Sequence, residues 1–307
     1  MAERKPANLI EQAASVLRRG GLVAFPTETV YGLGADATSA AAVERIFAAK
    51  GRPATNPLIV HVCDVDVARR YVTAWPEAAQ RLTGHFWPGP LTIVLPKRGI
   101  IVDGVTAGLA TVGLRVPDHP LALDLLRAFD GAVAAPSANK SNHVSPTTAD
   151  HVRDELGDAV DLVLDGGPCS VGIESTVLDL STDPPTILRP GQVTREAIET
   201  LIGRVDCTFG ADRPEGPPAR SPGRQARHYA PRTPAFRFEP HQRDRVDPID
   251  AAIIEPSPDA AGYARQFYAR LRMLDRQHLR AIYIELPPDT PEWRAVRDRI
   301  IRATRAL

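Results

Sequence analysis

The sequence predicts an α/β protein: a twisted mixed β-sheet with flanking helices, followed by a small second α/β unit. Three observations carry this. Strand-like and helix-like apolar runs interleave over residues 1–205, without the strict alternation of a doubly wound parallel sheet. Residues 206–234 then shift to Pro and Gly, with RPEGPPARSPG at their centre, and read as a linker. Over 235–307 the α/β pattern resumes on a scale too small for easy independent stability, so this unit is expected to dock on the first.

The elements follow from periodicity. Leu9, Ala13, Val16 and Leu17 recur at helical spacing, and Gly20-Gly21 ends that helix. Leu22–Phe25 is a short apolar strand running into Pro26. Residues 39–49 form a helix with Val43, Ile46 and Phe47 on one face, and Leu58–Val62 is a strand. Helical patterns cover 64–73, 76–85, 119–129, 147–156 and 194–202. Strand patterns cover Leu91–Leu95, Thr111–Val116, Ala132–Ala135, 160–164, 175–180 and 186–188. In the tail, Ala251–Ile254 and Ala281–Ile284 are strand-like, and 258–278 and 291–305 helical.

Composition bounds the function. The chain has 307 residues, 43% apolar and 24% charged, a balance that supports a packed core. Formal net charge is zero, which gives no general attraction to nucleic acid. Residues 1–210 carry 19 Lys+Arg against 24 Asp+Glu, and residues 211–307 carry 18 against 13, all 18 being Arg. That basic tail is either compositional bias or an anion-facing surface. Cys63, Cys169 and Cys207 lie too far apart for a paired-Cys motif, which fits a reducing compartment. No apolar stretch is long enough for a membrane span and the N-terminus does not resemble a signal peptide, so a cytoplasmic protein is expected.

Several loops at strand ends have compositions that packing does not require. Pro26-Thr27-Glu28-Thr29-Val30-Tyr31-Gly32-Leu33-Gly34 suits a small polar ligand, or is an ordinary capped turn. Lys50-Gly51-Arg52-Pro53-Ala54-Thr55-Asn56-Pro57 could clamp a polyphosphate, or is a solvated cationic helix end. With only four lysines in the chain, one in such a loop invites a chemical reading. Ala135-Pro136-Ser137-Ala138-Asn139-Lys140 offers two hydrogen-bonding side chains, or a turn. Arg115 stands in the apolar strand TVGLRVP, where a buried cation needs a partner: a bound carboxylate or an internal Asp or Glu. Gly172-Ile173-Glu174-Ser175-Thr176 and Leu188-Arg189-Pro190-Gly191 add two more such loops. The phosphate-binding GxxxxGK[ST] loop, the GxGxxG fingerprint, HExxH and GxSxG are all missing, so a nucleotide would be held by dispersed strand-end loops.

Taken in order, PTETVYGLG, KGRP with NPLIVHV, FWPGPLT, TVGLRVP, APSAN with SPT, GIESTVLDL and LRPG resemble the threonylcarbamoyl-AMP synthases, the YrdC-like family. SPGRQARHYAP at 221–231 is similar to the linker of the two-domain members. The resemblance implies a YrdC-like sheet with a small Rossmann-like C-terminal domain, and a nucleotidyltransferase. Its reaction would join L-threonine, bicarbonate and ATP into L-threonylcarbamoyl-AMP and pyrophosphate, for N6-threonylcarbamoyladenosine in tRNA. It implies an L-threonine site of Thr29, His61, Arg115, Ala135 and Ser175. It implies an ATP site of Lys50, Arg52, Asn56, Thr111, Ser137, Asn139, Ser145, Arg189 and Tyr229. Lys50 and Arg52 would neutralise charge in catalysis, with Mg²⁺ riding on the phosphates rather than in a protein cage. Partner proteins would pass the product to tRNA. The linker would strap over the cleft, although Arg224, Gln225 and Ala226 replace the family's usual Met, Lys and aromatic. Two other classes compete: a double-stranded-RNA-binding module without catalysis, against which the acidic balance of 1–210 argues, and a hydrogenase-maturation carbamoyltransferase, whose paired-Cys zinc motifs are missing.

Overall fold

The computed structural model describes residues 6–208 and 228–307. Most of the expected linker, including Arg224, Gln225 and Ala226, lies outside the described residues.

The first unit runs α1 (Pro6–Arg18), β1 (Val23–Phe25), β2 (Gly32–Asp36), α2 (Ala40–Lys50), β3 (Ile59–His61), α3 (Val65–Arg69), α4 (Glu77–Phe86), β4 (Leu91–Pro96), α5 (Asp103–Thr106), β5 (Thr111–Arg115), α6 (Pro120–Phe129), β6 (Val133–Ala134), α7 (Ala149–Leu156), β7 (Leu162–Val163), β8 (Thr176–Asp179), β9 (Thr186–Arg189), α8 (Arg195–Ile202) and β10 (Asp206–Cys207). Its strands form one mixed sheet in the order β10-β9-β8-β4-β5-β3-β6-β2-β1-β7. Parallel and antiparallel neighbours both occur: β3 pairs parallel with β5 and antiparallel with β6.

Local chemistry sets the boundaries. Ser39 caps α2 by accepting from the Ala42 amide, and Gly51 ends it with φ +60°. Thr148 and Thr194 cap α7 and α8 in the same way. Helix α1 buries Ile10, Ala13, Ala14 and Leu17 in one apolar cluster with Ala122, Leu125 and Leu126 of α6. The opposite, larger core gathers Val43 and Ile46 of α2 with Leu82 of α4 and Val60, Ile93 and Leu114 of the sheet.

The glycines of GLGAD read as loop, yet Gly32–Asp36 is strand β2, paired with β1 and β6. Glycine serves close packing there: a Cβ on Gly34 would lie 2.8 Å from both Phe25 and Val133.

The second unit comprises β11 (Ala235–Phe238), β12 (Ala251–Ile254), α9 (Ala260–Asp275), β13 (Ala281–Glu285), α10 (Arg294–Ala303) and β14 (Arg305–Ala306). Its sheet, in the order β12-β13-β11-β14, is wholly parallel. It is docked on the first unit. One apolar cluster contains Val30, Val144 and Ile173 together with Tyr263, Phe267, Tyr268 and Leu271 of α9. Arg272 of α9 pairs with Glu155 at 2.5 Å, Arg265 donates to the Ser170 carbonyl at 3.0 Å, and Arg294 reaches Glu196 at 3.2 Å. Among the described residues no helix is long and apolar enough to cross a membrane.

Candidate active site

The strand-end loops converge on one cleft of about 530 Å³, counting its open mouth. Its walls include Thr29, Arg52, His61, Arg115, Ala135, Ser137, Arg189 and Tyr229, eight of the expected site residues. Thr27, Glu174 and His228 also line it. Loop-to-loop backbone bonds hold the walls: Tyr31 donates to the Pro146 carbonyl and Leu33 to that of Pro136.

Arg115 ends β5 and is buried. Its Nη2 donates to Thr29 Oγ1 at 2.9 Å and lies 2.8 Å from Glu28 Oε1, while Nε donates to the Gly89 carbonyl. The strand cation thus has an internal partner, Glu28, so charge balance alone does not require a bound carboxylate. The Glu28 contact is an ion pair without hydrogen-bond alignment, leaving Oε1 no proper donor, whereas Oε2 accepts from the Asp118 amide.

His61, beside Arg115, is pushed down to about 3, first by burial and then by the Arg115 charge, so its imidazole is neutral at pH 7. Its Nδ1 has no hydrogen-bond partner in the protein. Neither has His228 Nδ1 or the Tyr229 hydroxyl. Buried polar atoms normally find partners, so three such atoms on residues of one cleft point to a ligand that supplies them. Burial, then Glu174, pushes the Tyr229 phenol up to about 12, which keeps it a donor. Tyr229 takes φ +62°, a conformation that costs a side chain on the order of 1–3 kcal/mol and recurs at functional sites.

Three guanidinium groups face the cleft. The Arg52 side chain is fixed by its own loop, donating to the carbonyls of Asn56 and Pro57 at 3.2 and 3.0 Å. Burial and nearby Arg189 lower it to about 10. Arg189 donates to the Ser175 carbonyl and hydroxyl, both at 3.1 Å. Two cations held so close in a buried wall favour an anionic ligand between them.

The remaining expected residues stand behind the walls or beside them. Lys50 does not line the cleft. Its Nζ donates to the Ser137 carbonyl at 2.5 Å and to the Asn139 carbonyl, so the ammonium ties down the loop that carries Ser137. Burial, then Arg52, holds it well below the usual lysine range. Asn139 is buried and bonds to the Lys140 and His143 carbonyls. Ser145 donates to Glu174 at 2.6 Å, and Ser175 shares a 2.8 Å hydrogen bond with Thr92. Asn56 offers its carbonyl to Arg52. Thr111 lines an adjoining concavity with Thr92 and Thr106, and Ile59 lies on the wall between the two.

Glu174 and His228 were not among the expected site residues, although both sit inside the motifs GIEST and HYAP. Burial alone would raise the Glu174 carboxyl. Arg299, Arg189 and the Ser145 hydroxyl reverse this and hold it at about 2. Among the described residues no group of three or more His, Cys, Asp or Glu side chains is placed to hold a metal ion.

A mixed sheet with a cationic cleft at its strand ends, and a second unit docked on the same domain, defines an α/β protein with a site suited to a small anionic ligand. The family model Sua5_yciO_yrdC, described as "Telomere recombination", matches residues 15–191, more than half of the chain. A second model, Sua5_C, "Threonylcarbamoyl-AMP synthase, C-terminal domain", matches 193–304. The chain belongs to the Sua5/YciO/YrdC family, in the form that carries this C-terminal domain. It is similar to the threonylcarbamoyl-AMP synthase of Bacillus subtilis, 50% identical over 73% of this chain and 65% of that protein. It is 46% identical to that of Pyrococcus abyssi over 77% of this chain and 69% of the relative. These matches therefore span about two thirds of the relatives' own length. The fold superposes on the crystal structure of P. abyssi Sua5 complexed with L-threonine with a TM-score of 0.93, at 36% identity, over 99% of this chain and 98% of that one.

Proposed function

We propose that this chain is an L-threonylcarbamoyladenylate synthase, a nucleotidyltransferase acting in the cytoplasm on L-threonine, bicarbonate and ATP. The observation that carries this is the single cleft joining Arg115, Thr29 and His61 to Arg52, Ser137, Arg189 and Tyr229. The names of the relatives, and the L-threonine in the P. abyssi Sua5 structure, support the same reading.

On this reading the L-threonine carboxylate takes its place against Arg115 and Thr29, with His61, Ser175 and the Ala135 backbone around it. Arg115 is already oriented by Glu28, so binding costs little reorganisation. Bicarbonate takes the proton of the ammonium and loses water to give carbon dioxide; the free amine attacks it, forming a carbamate and releasing a second proton to solvent, beside a His61 ring that is neutral and adds no charge. A carbamate oxygen then attacks the α-phosphorus of ATP. The bond to the bridging oxygen breaks, and pyrophosphate leaves with its electron pair. Arg52 and Arg189 offset phosphate charge, the Tyr229 hydroxyl donates to a nucleotide oxygen, and Lys50 holds the Ser137 loop in place. Asn56, Thr111, Asn139 and Ser145 complete the ATP site. Mg²⁺ held by the nucleotide's own phosphates, beside Arg52 and Arg189, would supply further charge neutralisation. The labile mixed anhydride is then passed to proteins that transfer it to tRNA.

Pyrophosphate release from ATP that requires both L-threonine and bicarbonate tests this reading. Salt-sensitive RNA affinity without such release would favour a non-catalytic RNA-binding module instead.

A further inference from the structure

Among the described residues Arg299 is the largest fully buried side chain, and it is charged. It lies on the apolar stripe of α10, among Val296, Ile300 and Ala303, where a hydrophobic residue would be expected. Its guanidinium reaches out of its own unit. Nε donates to Glu174 Oε2 at 2.8 Å, Nη2 to the Glu174 carbonyl at 3.3 Å, and Nη1 to Asp298 at 2.8 Å. Its Cζ sits 5.5 Å from the centre of the Tyr229 ring. The same helix accepts the His228 amide at the Arg302 carbonyl, 3.0 Å away. Tyr268 of α9 adds a 2.9 Å hydrogen bond to Glu174.

We propose that Arg299 is a positioning residue for the nucleotide half of the cleft, acting through Glu174 and Tyr229. This rests on the synthase reading above. Two features favour positioning over adhesion. A buried ion pair adds little net stability compared with apolar residues of the same volume, so adhesion alone does not explain it. The fork also grips both the carboxylate and the carbonyl of Glu174, the residue next to Ser175, whose carbonyl and hydroxyl orient Arg189. Arg299 thereby satisfies Glu174. Without it, the carboxylate is left to Arg189, the other cation that favours its charge and lines the same cleft, which would be drawn from the phosphates toward Glu174. The Tyr229 ring would lose its cationic support at the same step. Of the L-threonine residues, Thr29, His61 and Arg115 bond to none of these groups, and only Ser175 is tied to them, through Arg189. The C-terminal unit thus completes the ATP site from behind.

Equilibrium binding of MgATP and of L-threonine to the full chain tests this, with Arg299→Met and Arg299→Lys beside the wild type. Arg299→Met is expected to weaken MgATP about tenfold, within the range by which a residue acting through its neighbours shifts affinity, and to weaken L-threonine, which meets the network only at Ser175, clearly less. Arg299→Lys keeps the charge but not the fork, and should fall between. If Arg299→Met does not fold, as judged by its thermal transition, Arg299→Lys carries the comparison. Unchanged MgATP affinity, or equal losses for both ligands, would overturn the positioning role and leave only packing. A wild type that binds no nucleotide would instead overturn the synthase reading, on which the inference rests.

Discussion

Lys50 and Arg52 look alike in the sequence, two cations two residues apart on one loop, and the fold gives them different work. Arg52 faces the cleft, whereas Lys50 turns its ammonium into the Ser137–Asn139 backbone. Replacing Lys50 with Met should leave the buried Asn139 carbonyl without a donor and the Ser137 carbonyl with only the Asn139 amide, costing about 1–3 kcal/mol, and should also weaken nucleotide binding. Urea denaturation and MgATP titration check both; loss of turnover with unchanged stability would return Lys50 to direct phosphate contact. Which cation points where depends on the path of a loop 87 residues away in sequence, and that is not written in local composition. The same holds for Arg115. The sequence showed a strand cation in need of a partner, and the choice of Glu28 became visible only when β5 met the first loop. Glu174 and His228 were within reach, since each neighbours an expected residue. Arg299 was hinted at by a charge on an apolar helical stripe, in a unit whose motifs were too weak to carry roles.

At the scale of elements, the long amphipathic helices and apolar strands were legible because burial imposes period 3.6 or 2 on them. Strand β2 was not, since its glycines answer to Phe25 and Val133 across the sheet rather than to local propensity. Strand β11 was missed as well: it has four residues directly after a Pro-rich stretch, yet it pairs with both β13 and β14. The contact between units was foreseen only as a docking of uncertain place. Its tightest approach is α9 against the loop at Gly172, where φ is +82° and a Cβ would lie 2.5 Å from Arg265 Cα, with α10 adding the Arg294 and Arg299 contacts. Gly172→Ala should therefore destabilise the protein, by about 1–3 kcal/mol from the backbone alone and more from displacing α9. An unchanged urea midpoint would show that the two units yield easily at this seam.

Across the whole molecule, burial of neutral histidines sets the response to acid. His61 and His228 are pushed down to about 3 and His151 to about 4, in each case first by burial. The unfolded chain binds these protons near pH 6.5 and the folded chain does not. Stability is therefore full above about pH 6.5 and falls as pH drops toward 3, by roughly 1.4 kcal/mol per pH unit for each such proton. Glu174, held at about 2, adds a loss between its ordinary value near 4.5 and 2. Denaturation series at several pH values should show stability declining continuously below pH 6.5; a flat profile from pH 7 to 5 would contradict the buried neutral state of these rings. Two of these histidines, His61 and His228, line the cationic cleft, and the chemistry of that cleft is what matters most. The decisive measurement is pyrophosphate release from MgATP in ¹³C-bicarbonate, with and without L-threonine, followed by the mass of the nucleotide product. Release that needs both co-substrates, with one labelled carbon carried into a threonylcarbamoyl adenylate, is the expected result. ATP turnover indifferent to L-threonine or bicarbonate, or no turnover at all, would contradict it.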